Sequence, residues 1–289
     1  MKLNLTATLV VIAAAGLSLV GAAGLAATTG AGSTLHHVRA GQSIQAAIDA
    51  AKPGDTIDVG PGVYRETLSI QKDGITLRGA GSGPGGTVLQ MPAKPLPSPC
   101  TEAGTVNGIC IAGEFTLGQD DVGTPVRHVR VSGFRVRDFT RFGVVVYNAV
   151  DTTVADTDVS GSGLWGIVAF TAQTVRVQHD ASHGNHQGGI YVGDSPQANA
   201  LLEDNESYGN AASEGIGIFL RDASHGTVRG NRVEGNCSGL IAVDTAADGA
   251  VTDWQLQDNT VRGNSASCAP SESRQISRRA AITASSIAG

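Results

Sequence analysis

The sequence predicts an all-β solenoid: short parallel strands wound into about eight coils behind a capping helix. Three observations predict it. The 289 residues include 39 Gly but only 10 Pro, and aromatic residues make up just 4%. That mixture suits many short strands joined by tight turns. Gly followed by an aliphatic residue recurs every 22 to 28 residues or so, at Gly143-Val144, Gly166-Ile167, Gly189-Ile190, Gly217-Ile218 and Gly239-Leu240. Polar pairs five apart follow in step: Thr157/Ser162, Asp180/Asn185, Asn205/Asn210, Asn231/Asn236 and Asn259/Asn264. Such a period is the signature of a repeat architecture. It is too short for a propeller blade, and the leucine-rich spacing is missing. Coils of three strands, stacked at about 4.8 Å, fit it.

Each element has a local reason. Residues 1–32 read as a signal peptide and leader. Lys2 precedes an apolar run from Leu5 to Leu25, and small Gly24 and Ala26 suit a cut near Ala26. Export follows, with no stable membrane span after processing. Residues 33–264 form the solenoid domain. Within it, Ile44, Ala47, Ile48 and Ala51 fall at helical spacing behind Ser43, predicting a cap helix near 43–52 that covers the first coil's edge. Strand-like runs follow at Thr56–Val59, Thr67–Ile70, Ile75–Arg78 and Val88–Met91. In the repeats, alternation sends Val144/Val146, Ile167/Ala169, Ile190/Val192, Ile218/Leu220 and Leu240/Ala242 inward. Val154, Val177, Leu202, Val228 and Leu256, three residues before each polar pair, should form one buried column. Residues 265–289 show no further coil and read as a weakly ordered tail.

Four cysteines in an exported chain suggest two disulfides, with three connectivities open. The local pairs Cys100–Cys110 and Cys237–Cys268 are favoured. A net charge of −6 argues against a nucleic-acid partner and gives an anionic polymer little attraction unless a cation intervenes. Gly79 to Pro84 is no dinucleotide loop, because a strand pattern follows where a helix is required. His179, His183 and His186 would share a helix face, but the stretch is strand and turn, so the spacing does not make a metal site.

The run from Ser43 to Tyr64 (SIQAAIDAAKPGDTIDVGPGVY) and Gly74-Ile-Thr-Leu-Arg-Gly79 resembles the opening of right-handed parallel β-helix proteins, the pectate-lyase-like superfamily. The Gly-Ile-x-Val and Asn-x4-Asn copies are similar to its generic repeat. The resemblance implies a right-handed coil and includes pectate and alginate lyases, uronate epimerases, polygalacturonases and non-catalytic surface proteins. Fold alone therefore leaves function open.

Stacking turns the register into columns. Five residues after each Gly stand Asn148, Thr171, Asp194, Asp222 and Asp244. Three carboxylates on consecutive coils would repel unless separated, protonated or bridged by a cation. Asp194, Asp222 and Asp244 are therefore candidate calcium ligands and candidate catalytic acids, and equally candidate turn caps. The outward strand positions carry Tyr147, Phe170, Tyr191 and Phe219, with Trp165 just before its Gly. These aromatics are candidate sugar-stacking residues, or rings beneath a covering loop. Arg221 beside Asp222 completes the candidate site. In pectate-lyase-like enzymes an Arg or Lys near an acid cluster takes the proton, whereas an ordinary Arg stays charged and would clamp a substrate carboxylate. The Asp-Pro-His motif of alginate epimerases is not reproduced around Tyr191-Val-Gly-Asp194. The expected protein is a secreted monomer engaging a polysaccharide or cell-surface glycan, as a uronate lyase or epimerase, as a glycoside hydrolase, or as a non-catalytic surface protein.

Overall fold

A computed structural model describes residues 32–102, 104–116, 122–210, 215–245, 251–264, 280–284 and 287–288. The expected signal peptide and Cys268 lie outside these residues. The strands form three parallel sheets that run along one solenoid of about nine turns, one more than expected.

The first sheet carries the buried column. Val131, Val154, Val177, Leu202, Val228 and Leu256 pair coil to coil in parallel register, and all are buried. Leu77 and Ile57 continue it toward the N-terminus. In the third sheet, Val144, Ile167, Ile190, Ile218 and Leu240 are parallel neighbours, as the repeat requires. Full burial of each such aliphatic contributes roughly 1.5–3 kcal/mol relative to exposure.

The Gly of each repeat has a steric cause. A Cβ at Gly143, Gly166, Gly189, Gly217 or Gly239 would lie 2.0–2.4 Å from Val159, Ser182, Ser207, Val233 or Val261. Those side chains come from the second sheet, so the two sheets touch where each repeat begins. The polar pairs form two buried ladders. Asn205 donates its amide to Val177 O and to Asn231 Oδ1, at 2.8 and 2.9 Å. Asn231 does the same with Leu202 O and Asn259 Oδ1. The second ladder joins Asn185, Asn210, Asn236 and Asn264. These amides satisfy turn backbone groups that would otherwise be buried without partners.

The helix Ile44–Ala50 buries Ile44 and Ile48, with Ser43 as its N-cap. Glu66 accepts from the backbone N–H groups of Ile44 and Gln45 and from the Ser43 hydroxyl. Asp55, from the Pro-Gly-Asp run, accepts from Thr34 N, Lys52 N and His36 Nε2, and these bonds hold its carboxyl far below the usual range. Two strands within the expected tail, Ala280–Ala284 and Ile287–Ala288, extend the first and second sheets in parallel. The segment read as lacking a coil thus supplies strands. The backbone ladder explains it: an open sheet edge accepts a further strand without the inward side-chain pattern.

Candidate functional site

The outward face of the third sheet is built by the strands Ile109–Ala112, Val144–Tyr147, Trp165–Phe170, Gly188–Ser195, Ile216–Ala223 and Ser238–Val243. Register places Val145, Val168, Tyr191, Phe219 and Ile241 in one outward column. A second outward column holds Tyr147, Phe170, Gly193, Arg221 and Val243. All five expected aromatics therefore share this face.

Their rings pack against one another. Tyr191 lies 5.1 Å from Phe219 and 5.1 Å from Trp165, both stacked, and meets Phe170 edge-on at 4.9 Å. Two glycines make room. A Cβ at Gly188 would sit 2.3 Å from the Trp165 ring, and one at Gly193 would sit 2.7 Å from the Tyr191 ring. With Cys100, Cys110, Phe142, Val145, Val168 and Ile216, Trp165 and Tyr191 form a hydrophobic cluster outside the solenoid core.

Of the two readings of these rings, sugar-stacking or covered, part of the set is covered. Trp165 and Tyr191 are each only 6% exposed. Phe115 stacks on Tyr147 at 4.1 Å and occupies one of its faces. Phe170, Phe219 and Ile241 remain partly exposed. Cys100 is bonded to Cys110, as expected, and lies against this face. Cys237 is also disulfide-bonded. Phe115, Phe142 and the covering role of Cys100 were missed in the sequence. Phe142 stands directly before Gly143, as Trp165 stands before Gly166, and that register could have found it, whereas Phe115 and Cys100 lie in segments that interrupt the repeat.

At the exit of the strands, Asn148, Thr171, Asp194 and Asp222 all have left-handed backbone, with φ of 46°, 50°, 50° and 50°. Short polar side chains tolerate this region better than most, which accounts for the column as turn caps. Asp222 is 7% exposed. Its two carboxylate oxygens accept from Thr245 N and Thr245 Oγ1, both at 2.6 Å. Asp194 is exposed, whereas one carboxylate oxygen of Asp244 is buried without a hydrogen-bond partner. Among the described residues no group of three His, Cys, Asp or Glu side chains is placed to hold a metal ion.

Arg221 joins the two halves of the site. Its Nε lies 3.2 Å from Asp222 Oδ2 and donates to Thr245 Oγ1 at 3.0 Å. Its charge is also felt by the Tyr191 hydroxyl on the neighbouring strand. Burial first, then the charge of Asp194, pushes the Tyr191 phenol up to about 12, against the pull of Arg221. Partial desolvation pulls Arg221 down, but Tyr191, Asp194 and Asp222 outweigh it and raise the guanidinium. Neither group is poised to accept a proton near neutral pH. The arrangement presents a fixed cation beside aromatic rings, suited to a carboxylate attached to a sugar.

The chain belongs to the right-handed β-helix family, whose description, Right handed beta helix region, matches residues 123–284. That match gives the coil its right hand. Among solved structures, an alginate lyase from Paenibacillus sp. is 16% identical, with a TM-score of 0.55 over 78% of this chain and 76% of that one. A pectate lyase is 15% identical, with a TM-score of 0.53 over 89% and 78%. The A-module of a mannuronan C-5 epimerase from Azotobacter vinelandii is 20% identical, with a TM-score of 0.50 over 77% and 74%. These likenesses are likenesses of fold. No curated protein sequence matches the chain. Among the described residues no helix is long and apolar enough to cross a membrane.

Proposed function

We propose that this protein engages an acidic polysaccharide on the outward face of its third sheet. The observation that carries the reading is Arg221, 43% exposed at its side chain, fixed by Asp222 and Thr245 beside Phe219 and Tyr191. A uronate carboxylate would pair with the guanidinium while the sugar's C–H face lies on Phe219 and Phe170. The fold likeness to alginate and pectate lyases supports alginate and pectate fragments as the first panel. Calcium enters only as a bridge between substrate carboxylates and exposed Asp194, tested by including or omitting it. Secretion belongs to the same reading, supported by the Cys100–Cys110 bond and the leader-like first residues.

Lyase or epimerase turnover is the catalytic form of this proposal. A non-catalytic binding face is its alternative, favoured by the raised pKa values of both Tyr191 and Arg221. Arg221→Ala separates binding from folding. The variant removes one partner of a pair whose acid is only 7% exposed, but Asp222 keeps both bonds from Thr245, so the cost to stability should stay at about 1–2 kcal/mol. Its affinity for the responsive glycan should fall roughly ten- to hundredfold, the worth of a charge-assisted hydrogen bond. The Arg221/Asp222 double substitution is a poorer probe, because Asp222 holds Thr245 in the turn. Calorimetric titration reads the binding, and appearance of unsaturated or epimerised product reads turnover. Unchanged affinity in Arg221→Ala would remove this site from consideration.

A further inference from the structure

The first outward column of the third sheet is sealed toward its N-terminal end: Cys110, Val145, Val168 and Tyr191 are buried although they point away from the core, whereas Phe219 and Ile241 are partly exposed. In the second, Ala112 and Val243 are buried and Tyr147, Phe170 and Arg221 partly exposed. Two walls do the sealing, one from each edge of the strands. On the entry side, Cys100 is covalently tied to Cys110. Asn107 braces it, donating to Cys100 O at 2.7 Å and accepting from Phe142 N at 3.1 Å. Arg141 lies over the Phe142 ring at 4.7 Å. On the exit side, Phe115 covers Tyr147. Its segment turns back through paired backbone bonds between Glu114 and Gly123 and between Glu114 and Thr124. The Asn148 amide pins both arms by donating to Glu114 O and Gly123 O, at 2.8 and 3.2 Å.

We propose that these walls make the aromatic face a blind-ended site, which receives the terminus of a glycan chain instead of an internal stretch. The inference rests on the polysaccharide reading and deepens it. A polymer lying along the coil axis past Arg221 and Phe170 would run into Phe142, Phe115 and the segment tied down at Cys100. The covalent and amide anchors leave that end no ready way to open. Chain ends, not chain residues, then count as ligand.

The test is a length series of alginate and pectate fragments, from dimer to octamer and polymer, titrated into the full-length protein with Kd expressed per chain. A blind end predicts that Kd stops improving once the face is filled, and that the polymer binds no tighter per chain than the octamer. Reductive amination of the reducing end, or enzymatic modification of the other end, should then weaken binding by at least about tenfold in one case and not the other. Phe115→Ala uncovers a face of Tyr147 and should extend the plateau by a sugar residue. The length series on the unaltered protein decides the matter even if that variant folds poorly. Per-chain affinity that rises in proportion to length, or indifference to both end modifications, overturns the blind end while leaving the polysaccharide reading standing. Failure of every fragment to bind, with or without calcium, overturns both.

Discussion

Val228→Asp is expected to cost about 4 kcal/mol or more, enough to leave much of the chain unfolded at ambient temperature. Val228 is fully buried between Leu202 and Leu256 in the first sheet's inward column. Each strand of a coil is only a few residues long, so a carboxylate there cannot reach water by a rotamer change. Nor can the strand slip to expose it. A one-residue shift would turn the whole inward set outward and break the amide ladder at Asn231, three residues on. Aliphatic neighbours above and below leave the charge without a partner in its column. The measurement is a thermal or urea melt alongside Val228→Ala, which makes a cavity without a charge and should cost less. A melting temperature unchanged by the Asp substitution would refute the register assigned to the whole repeat.

That register was legible because a solenoid makes the same demand in every coil. Aliphatic residues facing one shared core, Gly where the second sheet presses on the third, and Asn at the buried turns all recur in step. The coil count was less legible. The early strands Leu35–Val38, Thr56–Val59 and Thr76–Gly79 join the first sheet by backbone register without the later amide ladder. The strands after residue 279 likewise show no repeat of the pattern. The outward face was half legible. Alternation brought Tyr191, Phe219 and Arg221 together correctly, since it follows from the same period of two. Whether those rings meet water depends on Phe115 and Cys100, which belong to insertions and obey no period, and on Phe142, which holds the place before its Gly that Trp165 holds in the next coil. Asp222 shows the same divide. An acid after a strand reads equally as cap or catalyst, and nothing in the sequence shows that Thr245 turns onto both its oxygens.

Asp180→Asn is expected to stabilise the protein at neutral pH, by about 1–3 kcal/mol, because Asp180 is an acid in a ladder made for amides. It is 1% exposed and stands in the column of Asn205, Asn231 and Asn259. Each of those asparagines donates to a carbonyl of the preceding coil, at 2.7–2.9 Å. An ionised carboxylate in the same place accepts only, from Thr157 N at 2.8 Å and Gln178 N at 3.1 Å. Burial raises the Asp180 carboxyl well above its ordinary value of 3.8, those two N–H groups pull it partly back, and the nearby charge of Asp156 raises it further. The sign of the pH dependence follows. A group that holds its proton more tightly when folded gives its full contribution below the unfolded pKa and loses it as pH rises through the folded one. Stability of the parent protein attributable to Asp180 should therefore fall as pH climbs from about 3.8 into the raised range, while the Asn variant titrates nothing there. The gap between their melting temperatures should be small in acid, widen across that window and level off above it. His179 and Asp204, chain neighbours of the ladder, are present in both proteins and cancel in the difference. A variant that melts lower than the parent at neutral pH, by the same margin at every pH, would mean that the two backbone donors hold Asp180 as a satisfied anion.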